Sequence, residues 1–149
     1  MLDYPTAIAM NGKKTLLIID DDADDCELFC EAVSEIDSSV RCTTASNGED
    51  ALQKLRDNID LFPDFIFLDL NMPRMDGRVC LAELKKDLNL KDIPVIIFST
   101  SSSQKDMDDT KKLGATYFIT KPHDFKSLQN KIMFVLETFN PTQHAMIIA

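Results

Sequence analysis

Two hydrophobic periodicities take turns along the 149-residue chain. Thr15-Leu16-Leu17-Ile18-Ile19 is a short continuous apolar run, the pattern of a strand buried on both faces of a parallel sheet. From Asp24 the spacing changes. Leu28, Phe29, Ala32, Val33 and Ile36 recur at helical intervals, with acidic residues in the first turn that complement the helix dipole. Val40 to Ala45 reads as a second strand, and Asn47-Gly48 turns the chain into a helix with Ala51, Leu52 and Leu55 on one face. Pro63 precedes a third apolar run, Phe65 to Leu68. After Gly77 a helix is predicted with Val79, Cys80, Leu81 and Leu84 inward and Lys85 and Lys86 outward. Val95-Ile96-Ile97-Phe98 is a fourth strand. The helix after it, from about Gln104 to Leu113, is almost wholly polar; Met107 and Leu113 form its thin stripe and Gly114 fits a C-cap. Tyr117 to Thr120 is a fifth strand. Asp124 then caps a helix burying Phe125, Leu128, Ile132, Leu136 and Phe139, with Pro141 after it.

Strand followed by helix, five times over, implies an α/β fold. The sheet is parallel, with right-handed crossovers and helices on both faces. One domain is expected over residues 15–139, with an N-terminal extension (1–14) and a short tail (140–149). There is no internal repeat.

Charge and cysteine usage narrow the classes. A formal net charge of −9 argues against nucleic acid as the direct partner. No apolar run reaches membrane-spanning length, and Met1 to Asn11, carrying Asp3 in place of a basic region, does not make a convincing signal peptide. The four cysteines (Cys26, Cys30, Cys42, Cys80) form no Cys-x-x-Cys pair, and the histidines are His123 and His144, so no zinc site is indicated. The expectation is a cytoplasmic chain with free thiols.

In one parallel sheet all strand C-termini share an edge, and here those ends carry chemistry. The first strand runs into Asp20-Asp21-Asp22, the third into Asp69, the fourth into Ser99-Thr100-Ser101-Ser102-Ser103, and the fifth into Lys121-Pro122. In open α/β sheets ligands bind outside these carboxyl ends. Taken singly, each has an ordinary reading as a capped helix, a solvated turn or a loop. Together they supply carboxylates for a hard cation, a lysine and a hydroxyl, the parts needed to move a phosphoryl group onto an aspartate. A calcium loop fails, because Asp20, Asp22, Asp24 and Glu31 fit its first, third, fifth and twelfth positions but Asp25 stands where glycine is required.

These motifs, in order and at these separations, closely resemble the receiver domain of two-component response regulators from about Thr15 to Phe139. The runs Leu68-Asp69-Leu70-Asn71-Met72-Pro73 and Phe98-Ser99-Thr100-Ser101 are most similar to the small stand-alone receivers, including those acting with phytochromes. The resemblance implies a flavodoxin-like (βα)5 sheet in the order 2-1-3-4-5. It implies Asp69 as phosphoacceptor, and Mg²⁺ or Mn²⁺ held by Asp20, Asp21, Asp69 and the Asn71 carbonyl, Asp20 mainly through water. Ser99 would be the switch hydroxyl, Lys121 the ion-pair partner of the phosphoryl group, Phe118 the aromatic switch without a tyrosine hydroxyl, and Lys121-Pro122 a cis peptide. The implied partners are a sensor histidine kinase or phosphotransfer protein, an unidentified downstream protein, and a second copy through the surface of the fourth helix, fifth strand and fifth helix. The chain would catalyse only its own phosphorylation and dephosphorylation. Two rivals remain at this point. A haloacid-dehalogenase-type phosphatase would need an acid at Asn71, and a flavodoxin-like binding module leaves Lys121-Pro122 unused.

Overall fold

A computed structural model describes residues 14–57 and 62–139. The expectations for residues 1–13, Pro141 and the tail from 140 lie outside these. The elements, in order, are β1 (Thr15–Ile19), α1 (Ala23–Ile36), β2 (Arg41–Ala45), α2 (Gly48–Asp57), β3 (Phe65–Leu68), α3 (Gly77–Lys86), β4 (Val95–Ser99), α4 (Gln104–Lys112), β5 (Tyr117–Thr120) and α5 (Phe125–Thr138). All strand pairs are parallel, in the order β2-β1-β3-β4-β5.

The continuous apolar runs divide by period two between two cores. Leu17, Ile19, Ile66, Leu68 and Ile97 point to the face covered by α2 and α3. Leu16, Ile18, Phe65, Phe67, Ile96 and Phe98 point to the face covered by α1 and α5. There Phe29 of α1 meets Phe67 and Phe98 with ring centroids 4.7 and 5.6 Å apart.

The helix starts follow from their caps. Asp22 accepts the backbone N–H groups of Asp24 and Asp25 at 3.0 and 3.2 Å. Asp76, Ser103 and Asp124 cap α3, α4 and α5 in the same way. Gly114, at φ +105°, closes α4 as expected.

Two apolar stripes are narrower than the sequence suggests. Leu28 is 48% exposed and Val79 is 50% exposed, so α1 turns Cys26, Phe29, Ala32 and Val33 inward, while α3 buries Cys80, Leu81 and Leu84. A helix lying on a sheet presents only one stripe to it, and apolar residues flanking that stripe stay in water. Lys85, expected outward, is half-buried and donates to the carbonyls of Lys91 and Ile93 at 2.9 and 3.0 Å. In α4 the buried residue is Thr110, with Met107 and Leu113 only partly covered.

The expectation of four free thiols is corrected. Cys30 and Cys42 are joined as a disulfide, because α1 packs across β2 and brings their Cα atoms within 5.6 Å, inside bridging range. Cys26 and Cys80 are buried free thiols. Among the described residues, no helix is long and apolar enough to cross a membrane.

Candidate functional site

The register delivers the strand ends together. Ile19 lies beside Leu68 and Ala45, and Ser99 beside Thr120. Asp20, Asp69 and Lys121 are therefore the first residues beyond β1, β3 and β5, while Ser99 ends β4. Backbone bonds fix the alignment: Asp69 N–H to the Ile19 carbonyl at 3.0 Å, Asp20 N–H to Ala45 at 3.0 Å, and Lys121 N–H to Ser99 at 2.7 Å.

Asp20, Asp21 and Asp69 each offer a carboxylate oxygen, and these lie within 4.8 Å of one another. Asp20 and Asp69 are buried and Asp21 is exposed. Three crowded oxygen donors with no imidazole or thiolate among them suit a hard divalent cation such as Mg²⁺ or Mn²⁺. Burial pushes the Asp69 carboxyl up to about 6, with Asp20 and Asp21 adding to the rise. Lys121 and the backbone N–H of Asn71 pull the other way. The crowding is thus only partly offset by the protein.

Lys121 supplies the offset. Its Nζ donates to Asp20 and to Asp25, both at 2.8 Å, with its side chain 13% exposed. Burial alone would lower the ammonium's pKa, but the two carboxylate bonds hold it above the ordinary lysine range. Asp25 is a site residue that the pattern of strand ends does not single out. The signal was the cap at Asp22, which sets Asp25 three residues into the helix start, turned toward Lys121.

Gly77 is required by close approach: a Cβ there would overlap the backbone oxygen of Asp69 and lie 2.6 Å from Leu70 Cα. The loop from Asn71 to Asp76 can fold back on the phosphoacceptor candidate only because glycine follows it.

Ser99 is fully buried, and its Oγ accepts the Ser101 N–H at 3.1 Å. Ser101 Oγ in turn donates to Asp106 at 2.6 Å, and Asp106 pairs with Arg78, which also lies 3.5 Å from Asp76. Thr120 Oγ1 donates to the Ser101 carbonyl at 2.9 Å. The hydroxyl at the end of β4 is therefore wired to the starts of α4 and α3, a network not visible in the sequence. Phe118 is half-buried, packed against the core under α2 and α3, and lines a cleft with Met107 and Tyr117.

One expectation is corrected: Lys121–Pro122 is trans, and none of the described peptide bonds is cis. Trans is the lower-energy isomer even before proline, and Lys121 reaches both carboxylates from it.

The sequence profile of the response regulator receiver domain matches residues 16–133. The chain is 31% identical to response regulator Rcp1 of Synechocystis sp., over 86% of this chain and 92% of that protein. It is 39% identical to a protein-glutamate methylesterase/protein-glutamine glutaminase of Treponema denticola, over 90% of this chain but 34% of that protein. It spans about half, or less, of several other curated relatives (49% and 30%). Among solved structures, the phosphorylated cyanobacterial phytochrome response regulator RcpA superposes with a TM-score of 0.78 at 32% identity, covering 87% of this chain and 95% of that one. The Mn²⁺-bound form of Rcp1 gives 0.70 at 28%, covering 87% and 96%.

Proposed function

This chain belongs to the response regulator receiver family, and on that footing we propose that Asp69 accepts its phosphoryl group from a sensor histidine kinase or phosphotransfer protein. The observation that carries the assignment to Asp69 is its position: a buried carboxylate beyond the central strand, clustered with Asp20 and Asp21 and facing the Lys121 that pairs with Asp20.

Asp20, Asp21 and Asp69, with the Asn71 carbonyl, would hold Mg²⁺. The ion, when bound, neutralises the charge that develops on the phosphoryl oxygens. An Asp69 oxygen attacks phosphorus in line with the departing donor, so the new P–O bond forms as the bond to the donor breaks. Lys121, kept protonated by Asp20 and Asp25, stands ready to turn its ammonium to the incoming phosphoryl oxygens. Ser99, released from the Ser101 N–H, then donates its hydroxyl to the same group.

Loss of Ser99 from its resting bond loosens Ser101 and, through it, the Asp106–Arg78 pair at the start of α4. Phe118 can then turn inward. Output passes through the surface of α4, β5 and α5 to a protein partner in the cytoplasm or to a second copy. The chain's catalysis is confined to its own phosphorylation and dephosphorylation.

Incubation with acetyl phosphate and Mg²⁺ tests the reading. The expected result is a single acid-labile phosphoryl group per chain. Turnover of a chromogenic phosphate ester without accumulation of that group would overturn it in favour of a phosphatase.

A further inference from the structure

Cys30 and Cys42 meet across the junction of α1 with the edge strand β2, twelve residues apart in sequence. Both are only partly buried, at the margin of the core beneath α1 and α5, whereas the free thiols Cys26 and Cys80 are buried. The bonded pair is therefore more open to reagents in solution than the other two.

Together with the backbone hydrogen bond from Asp20 to Ala45, the disulfide closes a ring that runs through the acidic pair. Asp20 leads through the Asp22 cap into α1, which carries Asp25 and, beyond it, Cys30. From Cys42, β2 runs to Ala45, whose carbonyl accepts the Asp20 N–H at 3.0 Å. Cys30 lines a cleft of about 410 Å³ together with Asp20, Asp21, Cys26 and Thr44. When the bond is present, the middle of α1, the helix whose start follows Asp21 and holds Asp25, is tied covalently to β2. When it is absent, packing and the 2.8 Å pair between Asp25 and Lys121 hold α1 there.

We propose that Cys30 and Cys42 are a reversible oxidation site whose bonded state tightens divalent-cation binding at Asp20, Asp21 and Asp69. The second part rests on the reading of those aspartates as the cation site. The oxidant is a low-molecular-weight disulfide. One cysteine thiolate attacks it, giving a mixed disulfide and expelling one thiolate; the second cysteine thiolate then displaces the other. Two cysteine thiols lose two electrons and two protons, and the added disulfide is reduced to two thiols. A helix already tied to β2 has less freedom to lose when the ion arrives, which makes the bonded form the tighter binder.

The full chain, equilibrated in glutathione buffers stepped from reducing to oxidising, is alkylated and its peptides mapped by mass spectrometry. Cys30 and Cys42 should lose alkylation together and regain it when the buffer is returned to reducing conditions, while Cys26 and Cys80 stay unpaired. On the same samples Mg²⁺ should bind about fivefold more tightly in the bonded form, the lower end of ordinary coupling between sites. Cys30→Ser and Cys42→Ser should each keep the reduced-state affinity in every buffer. A pair that never bonds, or a bond that survives the most reducing buffer, overturns the reversible site. Bonding with unchanged Mg²⁺ affinity overturns the coupling. Absence of Mg²⁺ binding in either state removes both the cation site and its coupling, and alkylation alone then decides the oxidation site.

Discussion

Lys121 Nζ lies 2.8 Å from Asp20 Oδ2, joining residues 101 positions apart, and Asp20 has no exposed side-chain surface. Removing one partner of such a pair leaves a buried charge uncompensated, which costs about 3 kcal/mol in typical cases. Lys121→Ala should therefore lower metal-free stability by about that amount, and Mg²⁺ should restore part of it, because a cation then answers the carboxylates. Urea melts with and without Mg²⁺ check this; an unchanged midpoint would show that the pair contributes nothing net.

Asp69 carries a pH signature of its own. Its folded pKa, near 6, lies above the 3.8 of an ordinary carboxyl. As pH rises between those values the unfolded chain releases this proton while the folded chain retains it, so the metal-free fold loses stability. Above pH 6 the deficit is constant, on the order of 3 kcal/mol. Asp69→Asn removes it. The variant should be more stable than its parent above pH 6 without metal, with the gap closing toward pH 4. A gap independent of pH would contradict the burial argument.

Strands β1, β3 and β4 were legible in the sequence because a strand covered on both faces is continuously apolar, and the polar residue at or just past the end of each strand marked the site edge. Asp20, Asp69, Ser99 and Lys121 fell out of that rule. Leu28, Val79 and Lys85 did not, because a helix period names a stripe but not its width. Asp25, the Cys30–Cys42 bond and the Ser101–Asp106–Arg78 chain depend on how helices sit against strands distant in sequence, which no one-dimensional pattern encodes. The trans Lys121–Pro122 bond corrects an expectation that came from family resemblance alone.

Asp21 is the exposed member of the carboxylate cluster, and its loss should relieve repulsion without opening a cavity. Asp21→Asn is expected to melt slightly higher than the parent without metal and to lose the Mg²⁺ response. For the parent that response should be about 2.7 kcal/mol at a hundredfold excess over Kd. An undiminished Mg²⁺ shift in the variant would count against Asp21 as a ligand.

Arg78 ties α3 to α4 through Asp106, on a helix with almost no apolar stripe to hold it otherwise. Arg78→Ala should raise amide exchange across residues 104–112 in the unphosphorylated protein. Beryllofluoride, which mimics the phosphoryl group, should raise exchange in the parent most at residues 99–113 and 117–120. Changes confined to α1 and α2 would place the output surface elsewhere.

The central claim is that one carboxylate takes the phosphoryl group. After reaction with acetyl phosphate and Mg²⁺, borohydride trapping and peptide mapping locate the modified aspartate. The expected result is modification at Asp69 alone, absent from Asp69→Asn and from samples stripped of Mg²⁺. Undiminished labelling of Asp69→Asn, or a trapped peptide carrying Asp20 or Asp21 in place of Asp69, would contradict it.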